Sequence, residues 1–134
     1  MTKPETAIVK AILDYLTLKG HFVWRNNSGM VIRKASKPSQ KDYAFSYGKV
    51  GSSDIIGVTK YGRFIAVEVK HGKNKPTEAQ EMFIEDVTRR GGIGFVAWSL
   101  DDVRARDAEI DAEIMPVRRV GRLEPVMEPE ELGD

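Results

Sequence analysis

The sequence predicts an α/β fold in which helices flank a central mixed sheet. Three observations lead to this prediction: an N-terminal segment with apolar residues at helical spacing, two adjacent strand-like segments joined by a tight turn, and a second helical segment followed by another apolar strand. A right-handed crossover from Lys70 to Ile93 would make the strands at its two ends parallel neighbours.

The first element is predicted to be a helix, because apolar residues recur at helical spacing and Gly20 stands where a C-terminal cap is expected. The recurring apolar residues are Ala7, Ile8, Ala11, Ile12, Tyr15 and Leu16. Glu5 shares this apolar stripe, which is unusual for a carboxylate. Two interpretations remain open for it: a capping box with Thr2, or a residue of a functional site.

Residues 21 to 25 (His-Phe-Val-Trp-Arg) have the composition of a strand that enters the sheet. Neither His21 nor His71 has a partner at metal-binding spacing, and His21 is expected to serve in packing. A polar turn follows over residues 26 to 29 (Asn-Asn-Ser-Gly), and its groups either bind phosphates or bases or simply shape the turn.

Basic residues are interleaved with aromatic ones over residues 30 to 50. The aromatic residues Tyr43, Phe45 and Tyr47 alternate as on one face of a strand, which favours a short hairpin. This mixture suits nucleic-acid backbones and unstacked bases. The aromatic rings could equally serve in packing, so none of them is assigned a role by itself.

A second hairpin is predicted from strands over residues 54 to 59 and 63 to 70, with a turn at Lys60-Tyr61-Gly62. This connection pairs Thr59 with Arg63, which sets Asp54 directly opposite Glu68. Lys70 lies two residues beyond Glu68 and therefore projects from the same face of the sheet.

Two acids and a lysine at one end of a buried strand require either internal pairing or a cation. One interpretation is a site for a hard divalent metal such as Mg²⁺, where Lys70 acts on a water or on a phosphate. The other is an ion pair of Lys70 with Glu68 or Asp54.

Thr77 is expected to cap a second helix that runs to about Arg90 and stops at Gly91-Gly92. Gln80 lies on the apolar stripe of this helix, where it serves either a site or a backbone hydrogen bond. An apolar strand at residues 93 to 98 and a short helix capped by Ser99 should follow. Residues 115 to 120 could add an edge strand, and the Pro- and Glu-rich end from Glu124 is expected to be mobile.

The composition limits the class of protein. A length of 134 residues fits one domain, and the absence of cysteine removes disulfides, thiolate metal sites and cysteine nucleophiles. No signal peptide, membrane-spanning run or nucleotide-cofactor motif is recognisable. We therefore expect a cytoplasmic protein, from a bacterial or phage-infected cell, that has no membrane partner and no nucleotide cofactor.

The charge is unevenly distributed, although the net charge is only +1. From Lys19 to Lys75 there are twelve Lys or Arg against three acids, whereas residues 124 to 134 hold five acids and no base. The basic part surrounds the predicted acidic site, which favours a polyanion as partner.

Several of these residues occur in an order that resembles a known family. Asp54, followed fourteen residues later by Glu68-Val69-Lys70, resembles the core of the restriction-endonuclease-like PD-(D/E)XK nucleases. Together with Glu5, residues 25 to 29, Gly51 and the Pro76-Thr77-x-x-Gln80 segment, it is similar to the virus-type replication-repair nuclease (VRR-NUC) domain. The resemblance covers roughly residues 3 to 103. Ser53 departs from it, since many relatives have Pro before the Asp.

The resemblance implies a restriction-endonuclease-like α-β-β-β-α-β core over residues 1–104, with a C-terminal extension at 105–134. It further implies that Asp54, Glu68 and the carbonyl of Val69 hold Mg²⁺ or Mn²⁺, that Lys70 acts on the attacking water, that Glu5 supports the metal region, and that Gln80 positions the lysine or the substrate. The residues expected to bind DNA are Arg25, Asn26, Asn27, Ser28, Arg33, Lys34, Lys49, Ser52, Lys73 and Lys75.

Short stand-alone members of this family resemble Holliday-junction resolvases that act as homodimers. We therefore expect a homodimeric, metal-dependent endonuclease for four-way DNA junctions, because a two-fold dimer places two sites on one junction. The alternatives are a flap, nicking or non-specific DNA nuclease, and a DNA-binding module of the same fold that has lost catalysis.

Overall fold

A computed structural model describes residues 3–113 of the chain. The predicted edge strand at residues 115 to 120 and the acidic end from Glu124 lie outside the described residues. Within the described range, no helix is long and apolar enough to cross a membrane.

The described chain contains helices and strands in the predicted order. The helices are α1 (Pro4–Leu18), α2 (Glu78–Arg89), α3 (Leu100–Arg104) and α4 (Asp107–Ile110). The strands are β1 (Phe22–Arg25), β2 (Gly29–Arg33), β3 (Tyr43–Tyr47), β4 (Ile55–Val58), β5 (Phe64–Val69) and β6 (Ile93–Ala97).

Four of the strands form a mixed sheet in the order β1-β4-β5-β6. The pairs β1–β4 and β4–β5 are antiparallel, whereas β5–β6 is parallel, as the crossover through α2 predicts. Strands β2 and β3 form a separate two-stranded antiparallel sheet, which confirms the hairpin predicted from the alternating aromatic residues. The mixed α/β architecture is thus confirmed.

One face of the four-stranded sheet carries the core. Val9, Ile12 and Leu16 of α1 are buried against apolar side chains of the sheet. These side chains are Ile55, Ile65, Val67, Val69, Ile93, Phe95 and Ala97. The predicted stripe of α1 was wrong at Ala7, which is exposed, because the buried face is centred on Val9 instead.

The two ends of α1 bear on the predicted capping box at Glu5 and on the predicted glycine cap at Gly20. The helix begins at Pro4 with Lys3 at the N-cap and no side-chain cap hydrogen bond, so Glu5 is the second residue of the helix and not the third, which a capping box requires. At the other end, Gly20 has a φ of 94°, which confirms the predicted glycine after the helix.

Helix α2 covers the opposite face of the sheet, and none of its side chains is fully buried. Its predicted inward stripe is confirmed, since Phe83, Ile84 and Val87 are half-buried. The helix lies close to β6, where a Cβ atom at Gly94 would meet the Ile84 carbonyl oxygen at 3.2 Å. Small residues in β6 therefore set how closely α2 approaches.

The packed structure continues past the boundary predicted at residue 104. Ile110 of α4 belongs to the core, and Asp107 and Asp111 form ion pairs with Lys19 at the end of α1. The start of the predicted C-terminal extension is therefore part of the folded domain, because these contacts join it to residues about ninety positions earlier.

His21 has a more specific role than packing. Its side chain is buried, its Nδ1 accepts a hydrogen bond from the Lys60 backbone N–H at 3.0 Å, and its Nε2 lies 3.1 Å from Asp111 Oδ1. An imidazole that accepts at Nδ1 carries its proton on Nε2 and can donate it to Asp111. His21 thus joins β1, the β4–β5 turn and the segment after α4.

Candidate functional site

The β4–β5 hairpin brings the two predicted acids together. Ile55 pairs with Val67 and Val58 with Phe64, so the same register continued by one residue sets Asp54 opposite Glu68. The turn is closed by a hydrogen bond from Gly62 N to Thr59 O at 2.8 Å, and Gly62 has a φ of 89°. The predicted turn and register are confirmed.

Asp54 lies at the start of this hairpin and is fixed by two different contacts. Its Oδ2 accepts a hydrogen bond from the Val69 backbone N–H at 2.8 Å. Its carbonyl oxygen accepts one from the Asn26 backbone N–H at 2.7 Å. The carboxylate of Asp54 is thereby held beside the end of β5, where Glu68 lies.

Asn26 has a positioning role that the sequence did not indicate. Its amide nitrogen donates to Ser52 Oγ at 2.7 Å and to Ser53 O at 3.0 Å. Both hydrogens of the Asn26 amide are thus used inside the protein, and the expectation that Asn26 binds DNA stays a prediction. Ser52 accepts one of them, so both residues hold the chain that leads into Asp54.

Glu68 is buried at 3% exposure, and no hydrogen-bond partner for its Oε2 exists among residues 3–113. Burial first, and then the neighbouring Asp54 carboxylate, raise the pKa of Glu68 to about 8, although Lys70 opposes this rise. A buried carboxyl without a complete set of partners is costly. The site therefore favours a proton or a cation beside Glu68.

Lys70 lies beside Glu68, as the alternation along β5 predicts. Its Nζ is 3.6 Å from Glu68 Oε1, and its backbone N–H donates to Ala97 O of β6 at 3.0 Å. The ion-pair interpretation is thus realised in part. One lysine does not balance two carboxylates, and Glu68 Oε2 has no partner within the described part of the chain.

These residues fit a hard divalent cation such as Mg²⁺ or Mn²⁺. Two adjacent carboxylates supply oxygen ligands, and Glu68 Oε2, which has no hydrogen-bond partner among residues 3–113, is available as one of them. Mg²⁺ commonly takes one or two carboxylates and keeps several waters, so a small donor set suffices. The carbonyl of Val69, at the same end of β5, is the predicted third oxygen.

Glu5 does not join this pair as a third acidic ligand. In the described part of the chain, no three His, Asp or Glu side chains come together as a potential metal site. Glu5 is half-buried on α1 and forms no hydrogen bond or ion pair with another described residue. Its supporting role for the metal region remains a prediction.

Gln80 forms a helix cap. Its Oε1 accepts a hydrogen bond from the Thr77 backbone N–H at 2.8 Å, and Thr77 Oγ1 accepts one from the Gln80 backbone N–H at 3.2 Å. This reciprocal pair is a capping box. The interpretation as a glutamine bonded to backbone is confirmed, whereas no hydrogen bond joins Gln80 to Lys70 in the described residues.

The predicted DNA-binding residues lie in three places. Lys73 and Lys75 are exposed on the turn that follows Lys70, and Trp98 holds this turn through an indole hydrogen bond to Asn74 O at 2.9 Å. Arg33 and Lys34 are exposed at the outer end of the β2–β3 hairpin. The remaining residues stand near the base of that hairpin: Arg25, Asn27, Ser28 and Lys49.

Ser53 lies next to the site, and the sequence did not indicate that its polar side chain is buried. It is completely buried next to Asp54, and its Oγ has no hydrogen-bond partner among the described residues. Its position before the Asp was the only available signal. Among residues 3–113, Ser53 Oγ is thus a second buried oxygen without a hydrogen-bond partner, one residue before Asp54.

Comparison with known proteins does not identify a family or a function for this site. No protein-family model matches the chain, and no curated protein matches it. The similarity to the VRR-NUC domain therefore rests on the residues named above and stays a prediction.

Proposed function

We propose that this protein is a metal-dependent DNA endonuclease that hydrolyses phosphodiester bonds, with the restriction-endonuclease-like arrangement of the VRR-NUC domain. The observation that carries the proposal is the pairing of half-buried Asp54 with buried Glu68, where Glu68 Oε2 has no hydrogen-bond partner among residues 3–113 and Lys70 Nζ lies 3.6 Å from Glu68 Oε1. The element order α-β-β-β-α-β, interrupted by the β2–β3 hairpin, is consistent with it.

Each residue of the site has a definite part in this proposal. Asp54, Glu68 and the Val69 carbonyl would hold Mg²⁺ or Mn²⁺, and the bound ion would supply Lewis-acid activation of water and charge stabilisation on the phosphate. The Val69 backbone N–H orients the Asp54 carboxylate through its 2.8 Å hydrogen bond. Lys70 Nζ donates to the attacking water or to a phosphate oxygen. Asn26 keeps the chain before Asp54 in place.

The proposed substrate is branched DNA, and the first choice is a four-way junction cut by a homodimer. Support comes from the twelve basic residues between Lys19 and Lys75, whose charge suits the phosphate backbone. A dimer with two-fold symmetry would present two such sites to strands of opposite direction.

A second candidate is a flap or nicking nuclease that acts next to an unpaired strand. The β2–β3 hairpin favours it, because Tyr43, Phe45 and Tyr47 are exposed there instead of packed in a core. Aromatic rings open to solvent beside basic residues are typical of surfaces that bind single strands.

The test is cleavage of end-labelled DNA of the same sequence as a four-way junction, a flap, a blunt duplex and a single strand. Each substrate is incubated with Mg²⁺, Mn²⁺ or EDTA, and products are separated on a denaturing gel. Glu68→Gln serves as the site variant. Glu81→Gln, at an exposed carboxylate of α2, is the matched control.

Metal-dependent cuts in wild type and in Glu81→Gln, but not in Glu68→Gln, would support the nuclease proposal. Symmetric paired cuts in the junction would favour the resolvase, whereas cuts at the branch point of the flap would favour the second candidate. Equal activity of Glu68→Gln, or cleavage that persists in EDTA, would contradict the assignment of the site.

A further inference from the structure

The β2–β3 hairpin stands apart from the four-stranded sheet. Its two strands pair with each other and with no strand of that sheet. Every residue of β3 is exposed. A hairpin that buries so little apolar surface contributes little to the core, so its apolar side chains require another explanation.

The register divides the hairpin into two different faces. Tyr47 pairs with Gly29, Phe45 with Val31 and Tyr43 with Arg33. Residues directly opposite each other share a face, so we call the face with these three aromatic residues the aromatic face. The opposite face carries Met30, Ile32, Ala44 and Ser46.

The aromatic face is an open row of rings. Tyr43, Phe45 and Tyr47 are 60%, 43% and 44% exposed. The rings of Tyr43 and Phe45 have centroids 6.3 Å apart and planes inclined by 27°. This separation is close to the ~6.6 Å between residues two positions apart on a strand, so the two rings stand side by side as neighbouring flat surfaces.

Gly29 makes room for the third ring. A Cβ atom at position 29 would lie 2.9 Å from the Tyr47 hydroxyl oxygen and 3.1 Å from Cζ of its ring. The Tyr47 ring thus lies across the backbone of the opposite strand. Its flat surface continues the row toward the base of the hairpin.

Charge indicates which kind of partner suits this face. The outer end of the hairpin carries Arg33, Lys34, Lys37 and Lys41 against one acid, Asp42. Asp42 accepts a hydrogen bond from the Ala35 backbone N–H at 2.6 Å and lies 3.4 Å from Lys34 Nζ. Lysine is depleted in protein–protein interfaces, whereas cations beside exposed rings are typical of single-strand binding.

The base of the β2–β3 hairpin lies next in sequence to residues that are hydrogen-bonded to the Asp54 segment. Its first strand follows Asn26, which is hydrogen-bonded to Ser52, Ser53 and Asp54. Its second strand returns to the same three residues. The base of the hairpin is thus joined through Asn26 to the segment that carries Asp54.

We propose that the aromatic face of the β2–β3 hairpin binds an unpaired DNA strand and leads it to the acidic site. The inference rests on the proposed nuclease function for what happens at that site. It names the substrate class as DNA with a single-stranded segment next to the cleaved bond.

The test measures binding in EDTA, where metal-dependent cleavage does not occur. Fluorescence anisotropy follows a labelled single strand of about 20 nucleotides, which exceeds the ~4–16 nucleotides covered by one single-strand module, and a blunt duplex of equal length. The double variant Tyr43→Ala/Phe45→Ala removes rings from the aromatic face. Met30→Ala/Ile32→Ala, on the opposite face of the hairpin and on its other strand, changes two apolar side chains that are at least as exposed and is the matched control.

We expect wild type to prefer the single strand, and the aromatic variant to lose about 10- to 100-fold in affinity for it, given what one stacked base contributes. Affinity for the duplex should change less than about twofold, and the control should bind as wild type. Tyr43→Phe/Phe45→Tyr, which keeps both rings, should restore binding. Circular dichroism and thermal melting check that each variant is folded.

Three outcomes would overturn the inference: no preference of wild type for the single strand, equal binding by the aromatic and control variants, or a loss confined to the control. Sedimentation provides a further readout, since a change of oligomeric state without a change in DNA binding would make the hairpin a contact between copies. If the protein binds as expected but never cleaves, the proposed function fails and the binding inference stands.

Discussion

Glu68→Gln should make the metal-free protein more stable at alkaline pH, although it removes a residue of the proposed site. The pKa of Glu68 is raised from 4.5 to about 8 by burial and by Asp54. Between these values the folded protein keeps a proton that the unfolded chain releases. Stability therefore falls as the pH rises through this window and does not fall further above about 8.

The size of the effect follows from the same window. A pKa of about 8 in place of 4.5 corresponds to at most about 5 kcal/mol of lost stability. Solvent that relaxes around the ionised pair, and Lys70 at 3.6 Å, reduce this amount. Glutamine resembles the protonated acid and has no charge to lose. We expect the free energy of unfolding of Glu68→Gln to exceed that of wild type by about 2 to 3 kcal/mol near pH 9 and to equal it near pH 5.

Urea unfolding in EDTA from about pH 5 to pH 9 measures this difference. Glu81→Gln, at an exposed position, should follow wild type at every pH. A constant difference between Glu68→Gln and wild type, or a variant less stable than wild type near pH 9, would refute the reasoning. Addition of Mg²⁺ should stabilise wild type and not Glu68→Gln, because binding to the folded state alone shifts the unfolding equilibrium.

The other predictions concern residues around the site and one remote contact. Lys70→Ala should reduce the cleavage rate by about 10²- to 10⁴-fold and leave DNA affinity within about threefold in EDTA, and a normal rate would remove Lys70 from the mechanism. Asn26→Ala should lower the free energy of unfolding by about 1 to 2 kcal/mol, since two hydrogen bonds to residues 52 and 53 are lost, and an unchanged urea midpoint would contradict the positioning role. Burial alone would raise the pKa of Asp111, but hydrogen bonds from Lys19 and His21 outweigh it and lower the pKa from 3.8. Asp111→Asn should therefore lower the free energy of unfolding by about 1 kcal/mol at neutral pH. This difference from wild type should persist above pH 3.8 and disappear as the pH falls below it. If urea unfolding shows a difference that grows on acidification, the ion pairs of Asp111 are refuted.

Local patterns were sufficient for the elements of the fold and for the central pair of the site. Strand composition and the turn at Gly62 predicted the β4–β5 hairpin, and the side-chain period of two then placed Asp54, Glu68 and Lys70 on one end of it. The cap at Thr77 and the parallel pairing of β5 with β6 were also predicted correctly. These features depend on residues that are close in sequence or on a handedness rule.

Functional groups that depend on distant partners were predicted less well. The expected DNA contact of Asn26 stays a prediction, and the sequence did not indicate that its amide holds Ser52 and Ser53. Gln80 was assigned to the site by resemblance, yet its side chain caps α2. A side-chain amide serves equally well in either role, and its hydrogen-bond partners appear only when the chain is folded.

The sequence by itself determined the order of the elements, the register of the acidic hairpin and the alternation that forms an aromatic row, because all three follow from local periodicity and turn geometry. Only the tertiary structure decided that Glu68 is buried, with no partner for its Oε2 among the described residues, that strand β3 is exposed, and that residues 107–111 pack against the domain. Burial and solvent exposure are properties of packing between segments far apart in the chain, and no local pattern encodes them.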